Sequence, residues 1–241
     1  MNKIIHQISH QYQPTNNSCG YTALAILLSH YGKSYKPEEL IQKIPQPKDS
    51  EGTSHGSVTA QLVDWLQTEG YQIQMYASDL FILDLSWKDK SSQEIKDRLV
   101  EIRNARKIPI MDNHWTKVYV DAYIAMLDHG AQLTVVRFIT TQLLYDLLKK
   151  GPVFANICST AIDGIGRSLT EGLRELKYDD LNGEISTHSV VVYGHDEKGN
   201  FLVADPWDGL LSHSPEDMVL AIEAAQIECD NQIFVISKDV I

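Results

Sequence analysis

Apolar positions in the first half of the chain recur mostly at helical spacing. From Tyr21 they fall at Leu24, Ala25 and Leu28, while Ala23, Ile26 and Leu27 fill the opposite side, the pattern of a helix buried nearly all round. Asn17 or Ser18 can cap its start and Gly32 its end, which puts the first turn near Cys19. A second helix is predicted over 57–69, with Val58, Leu62, Trp65 and Leu66 on one stripe and Gly70 as the stop. Residues 71–76 alternate like a strand. Ser91 followed by Glu94 makes a capping box for a helix through about residue 106, striped by Ile95, Leu99 and Ile102. A further helix is predicted over 117–128.

The second half changes period. Residues 133–138 read as a strand and 141–150 as a short helix stopped by Gly151. Short β-branched or aromatic runs follow at 153–157, 188–193, 201–204 and 233–236. The loop 195–200, with its Gly199-Asn200, closes a hairpin between two of them. Pro215 opens a last helix to about residue 225. Residues 159–187 are polar, glycine-bearing and acidic, and read as a long excursion on the surface. Helices first and antiparallel strands later predict an α+β class with two lobes, mainly helical over 1–132 and β-rich over 133–241.

Of the 241 residues, 43% are apolar, enough to bury a proper core. The longest apolar run is 23–28, far short of the ~20 residues that cross a bilayer, and residues 1–13 hold no signal-peptide core. A soluble, cytoplasmic protein with no membrane partner is expected. The net charge is −11, and all of it lies beyond residue 150: residues 1–150 carry 16 basic and 16 acidic side chains, the rest 5 and 16. With no basic stripe, nucleic acid is not an expected partner. The acidic excess is expected to serve solubility, or alternatively to select a basic substrate. Three cysteines, Cys19, Cys158 and Cys229, without CxxC spacing suggest reduced thiols, not a disulfide framework or a thiolate zinc site.

A cysteine nucleophile must ionise, and a helix N-terminus and a nearby cation both favour that. Cys19 meets the first condition, and Gly20 removes a side chain beside it, leaving room for a substrate carbonyl. The base should be a histidine on a rigid element, oriented from its far side by an acid or amide. Of nine histidines, His188 is placed best, at the start of a strand. Counting back from the 195–200 loop brings Asp205 roughly level with it across the hairpin. Pro206 ends that ladder, and Trp207 is expected over the carboxylate. Gln13, six residues before Cys19, can donate its amide to a developing oxyanion beside the Cys19 backbone N–H, with Gln11 and Gln7 as rivals.

These motifs resemble the papain-like cysteine peptidases, and among them cysteine peptidase family 39, the bacteriocin-processing, double-glycine leader peptidases and their stand-alone relatives. The matching stretches are Gln13-Pro14-Thr15-Asn16-Asn17-Ser18-Cys19-Gly20-Tyr21-Thr22, Gly151-Pro152-Val153, His188-Ser189-Val190-Val191-Val192-Tyr193-Gly194 and Val203-Ala204-Asp205-Pro206. The resemblance implies a papain-like fold. It also implies Cys19 as nucleophile, His188 as base, Asp205 as the orienting residue and Gln13 in the oxyanion hole. Residues 71–135 and 159–187 have no counterpart in those motifs.

The function expected is hydrolysis of a peptide or isopeptide bond through a thioester, on a peptide or protein substrate and without a cofactor. An acyltransferase, a glutamine deamidase or a transglutaminase-like enzyme would share the chemistry up to the thioester, and a silent binding module would keep only the fold. Metal catalysis is the remaining alternative. His6 and His10 have helical i, i+4 spacing, read as a solvated N-terminal face, and Asp112 lies near His114, but neither pair has a third ligand in its motif. Cys158 and Cys229 read as structural, His195 as a turn residue, and Asp196 as the substitute should Asp205 face away.

Overall fold

The computed structural model describes residues 2–48, 52, 54, 56–105, 114–162, 164, 166–173, 175–228 and 231–238. The apolar run after Cys19 forms α1 (Cys19–His30), in which every residue from Gly20 to Leu28 is buried. It ends where Gly32 takes φ 74° and Lys33 N–H reaches back to the Leu28 carbonyl, a left-handed stop that glycine enters without strain. Next come α2 (Pro37–Lys43), which starts on Pro37 and which the apolar spacing does not announce, and α3 (Thr59–Thr68). The strand β2 (Gln72–Ala77) leads through a short 3-10 turn to α4 (Ser92–Asn104), whose Ser91–Glu94 capping box is formed as predicted. α5 (His114–Asp128) and β3 (Gln132–Val135) complete the first half.

The second half contains α6 (Thr141–Leu148), β4 (Val153–Cys158), α7 (Ser159–Ile162), a hairpin of β5 (Ser168–Gly172) and β6 (Glu175–Tyr178), then β7 (Thr187–His195), β8 (Phe201–Asp205), β9 (Gly209–His213), α8 (Pro215–Ala224) and β10 (Gln232–Lys238). β5 and β6 form a two-stranded sheet of their own; the other eight strands form one sheet in the order β3-β2-β10-β4-β7-β8-β9, with β1 (Ile4–Ile5) added to β7. The class is α+β. One sequence expectation, that the strands are antiparallel, changes. β2 and β3 pair in parallel, because the helices α4 and α5 intervene and a crossover of that length returns the chain in the same direction. The stretch 159–187 holds α7 and the β5–β6 hairpin, with Leu173, Leu176, Tyr178 and Leu181 exposed.

Helices cover both faces of the sheet. Alternation along β7 sends Val191 into a cluster with α1, α3 and α5, and Val190 and Val192 into a second cluster with α6 and α8. The β4 and β10 strands follow the same rule, with Phe154 stacked on Phe234 at 4.6 Å on the first face. Each large apolar side chain so buried contributes about 1.5–3 kcal/mol, and this two-faced packing fixes where the ends of α1, β7 and β8 meet. No helix among the described residues is long and apolar enough to cross a membrane.

Candidate active site

The site begins with the loop before α1. Gln13 N–H donates to the Pro206 carbonyl at 2.9 Å, which ties this loop to the turn after β8. Ser18 donates its hydroxyl to the Thr15 carbonyl at 2.8 Å. That hydroxyl therefore does not cap the helix, whose first-turn N–H groups stay free of a side-chain cap. Cys19 is the first helical residue and is partly exposed, so the positive end of the helix dipole acts on its sulfur. Gly20 has a different role from the one expected. A Cβ there would lie 1.9 Å from Ser57 Oγ, so the missing side chain admits Ser57 against the helix and leaves no gap for substrate.

His188 Nε2 donates to Asp205 Oδ1 at 2.7 Å, and both side chains are less than a tenth exposed. The register that allows this differs from a simple count. The β7–β8 pairing shifts between Val192 and Gly194, leaving Val191 opposite Ala204. Asp205 therefore falls opposite Val190, two residues from His188, and the two side chains meet diagonally on one face. Without the bulge Asp205 would fall opposite Val191, on the other face from His188. Gly194 lies in this bulge, and a Cβ there would sit 2.2 Å from the Ile4 carbonyl oxygen, so β1 can pair at that point only with glycine. Asp205 Oδ1 also accepts from the backbone N–H of Trp207 at 2.6 Å and of Asp208 at 3.2 Å. The Asp-Pro turn thus aims the carboxylate with its own backbone, and Trp207 takes part through its amide.

Nε2 being committed to Asp205, the other ring nitrogen of His188 is the one left for Cys19, with which the ring shares a hydrogen bond. Burial alone would push the His188 pKa down, but the charge and hydrogen bond of Asp205, with those of Cys19, outweigh it and hold it well above the usual imidazole value. Burial would likewise push the Cys19 thiol up. The hydrogen bond and charge of His188, joined by the Ser189 backbone N–H and hydroxyl, reverse this and lower it. For Asp205 burial is again opposed, by the His188 charge first, and the carboxyl sits below its ordinary value. The shifts of Cys19 and His188 run in opposite directions, each toward the charged form of its own group.

Gln13 is buried near this line, but its amide is turned inward: Nε2 donates to the carbonyls of Thr15 at 2.9 Å and Asn16 at 3.2 Å, and Oε1 has no hydrogen-bond partner. Of its rivals, Gln11 donates to the Tyr35 carbonyl, and the Gln7 carbonyl accepts from His30. The stretch holding His6 and His10 is not helical. Ile4 and Ile5 pair with β7, His6 Nε2 donates to the Leu148 carbonyl, and His10 Nε2 donates to the Asp205 carbonyl at 2.8 Å. Strand pairing, which helical spacing ignores, thus makes these histidines braces of the sheet. Asp112 and Cys229 lie outside the described residues, and His114 donates to the Lys48 carbonyl. Among the described residues no three His, Cys, Asp or Glu side chains are grouped as a metal ion would need. Asp196 accepts from Lys198 and Asn200 N–H within the hairpin turn, and Cys158 is buried at the end of β4.

Three polar residues at the site escaped the sequence reading: Ser189, Asn156 and Thr59. Asn156 accepts from the Ser189 hydroxyl at 2.8 Å and donates to Thr59 Oγ1 at 2.6 Å. The available signal was Asn156 itself, a lone amide in the otherwise apolar run 153–157. The β5–β6 hairpin also reaches the site, where Asn16 Nδ2 donates to the Gly172 carbonyl at 3.3 Å.

Comparison with known proteins bears on this geometry. The model of the Peptidase_C39 like family matches residues 5–104, a stretch that contains Gln13 and Cys19 and ends before His188. No curated protein matches the chain closely enough to count as a relative. A crystal structure of a protein from Bacillus anthracis, provisionally assigned as a C39-like peptidase, is similar with a TM-score of 0.50 at 14% identity, over 97% of this chain and 96% of that chain. At that identity the likeness is one of fold. The family this chain resembles, by sequence over residues 5–104 and by fold over nearly its whole length, is that of the C39-like peptidases.

Proposed function

We propose that the protein is a papain-like cysteine peptidase that cleaves a peptide or isopeptide bond with Cys19, His188 and Asp205. What supports this reading is the buried His188–Asp205 pair at 2.7 Å together with the action of His188 on the Cys19 thiol, which displaces the pKa values of the two groups in opposite directions. Such displacements cluster where catalysis needs them. The thiolate attacks the carbonyl carbon, and negative charge moves to the carbonyl oxygen. The Cys19 backbone N–H at the helix start is one donor for that oxygen. Gln13 Nε2 is the second, once it exchanges the Thr15 or Asn16 carbonyl for the stronger, charged acceptor. His188 gives its proton to the leaving amine as the C–N bond breaks. The same ring then takes a proton from water, which attacks the thioester and releases the acid and the thiolate. Asp205 holds the ring and offsets its charge throughout.

The test is digestion of a complex peptide mixture by the purified full chain, with new N-termini read by mass spectrometry. The native chain should generate them and Cys19→Ala should not. Cleavage retained in Cys19→Ala would remove Cys19 as nucleophile.

A further inference from the structure

Ser189 follows His188 on β7 and is 7% exposed; Asn156 stands opposite it on β4 and is 2% exposed; Thr59, the first residue of α3, is also 2% exposed. Three polar side chains in a dry core cost stability unless their hydrogen bonds are met, and apolar residues of similar size would serve packing at least as well. Asn156 interrupts a strand that is otherwise Val153, Phe154, Ala155, Ile157 and Cys158. The chain of bonds from Ser189 to Asn156 to Thr59 fixes the position of the Ser189 oxygen, and the hydroxyl and N–H of Ser189 both act on Cys19 in favour of its thiolate.

A serine hydroxyl has one proton to donate, and here it has two claimants: Asn156 Oδ1, which accepts it at 2.8 Å, and Cys19, whose ionised sulfur it favours. We propose that this single proton is shared between them, pointing to Asn156 while Cys19 is a neutral thiol and turning to the sulfur when Cys19 ionises. Only the hydroxyl rotates; no covalent bond forms or breaks. Ser189 then stabilises the thiolate directly, and Asn156 acts through Ser189 as a positioning residue that competes for the same proton. This rests on the reading of Cys19 as nucleophile.

The pH dependence of Cys19 alkylation by iodoacetamide in the folded full chain tests it, mapped by peptide mass and checked by circular dichroism. Ser189→Ala removes the donor and should raise the labelling midpoint by about one pH unit. Ser189→Thr keeps the hydroxyl and should restore the native midpoint. Asn156→Ala leaves the proton only the sulfur and should lower the midpoint by about half a unit, the opposite of what general loosening of the site would do. If the native midpoint lies below that of a free thiol but neither Ser189→Ala nor Asn156→Ala moves it, or if both raise it, the shared proton is refuted and the nucleophile stands. A native midpoint at the free-thiol value would instead refute the nucleophile itself. Should Ser189→Ala fail to fold, the direction of the Asn156→Ala shift decides alone.

Discussion

Asp205→Ala removes one methylene-borne carboxylate and breaks three bonds to a single oxygen: the His188 ring at 2.7 Å and the Trp207 and Asp208 amides at 2.6 and 3.2 Å. With both partners of the ion pair less than a tenth exposed, solvent screening is small, and breaking such a pair from one side costs about 3–5 kcal/mol. The loss should depend on pH. The His188 pKa is raised in the folded state, so its share of stability is full below the unfolded value of about 6.5 and fades as pH rises through the folded one. The Asp205 pKa is lowered, so its share is full above the unfolded value of about 3.9 and fades as pH falls through the folded one. Urea unfolding of the native chain and Asp205→Ala across this range should show the largest difference between those limits and a smaller one on either side. At high pH the difference should not vanish, because the two backbone amides still lose their acceptor. A difference below about 1 kcal/mol at neutral pH, or one unchanged across the range, would refute the buried ion pair as described.

On a peptide that the digestion assay identifies, Asp205→Ala should reduce kcat/KM less than His188→Ala, since it orients the ring without transferring a proton; the reverse order would mean the roles are misassigned. Gln13→Ala should lower kcat by about tenfold or more with little change in KM, as loss of an oxyanion donor does, while a change in KM alone would leave Gln13 as a brace of the loop before Cys19. Gly20→Ala should destabilise by about 1–3 kcal/mol in urea unfolding despite the better helix propensity of alanine. Ser57→Gly should recover part of that loss, because the clash is with the Ser57 side chain.

What the residues reveal unaided follows physical range. The extent of α1 was readable because a run of apolar residues and a stopping glycine are local signals, although the side-chain cap expected at its start does not form. The hairpin bringing Asp205 to His188 was readable from its turn, but the pairing is offset by a bulge at Gly194, where β1, nearly 190 residues away in sequence, also pairs; no local spacing announces either. The braces formed by His6 and His10 were hidden for the same reason: helical spacing describes a segment by itself, and these side chains bond to carbonyls of α6 and β8. Asn156, Ser189 and Thr59 come from three elements and form a network only after the sheet and α3 have packed.

Catalysis by Cys19 requires that it and His188 exist as a thiolate–imidazolium pair, and the most direct measurement is the rate of Cys19 alkylation against pH in the native chain and in His188→Ala. The native chain should label rapidly even at mildly acidic pH, where a thiol of pKa about 8.5 is almost wholly protonated. His188→Ala should move the midpoint up toward or beyond that value, because burial then acts on the thiol without the opposing charge. Overlapping profiles for the two proteins would contradict the claim.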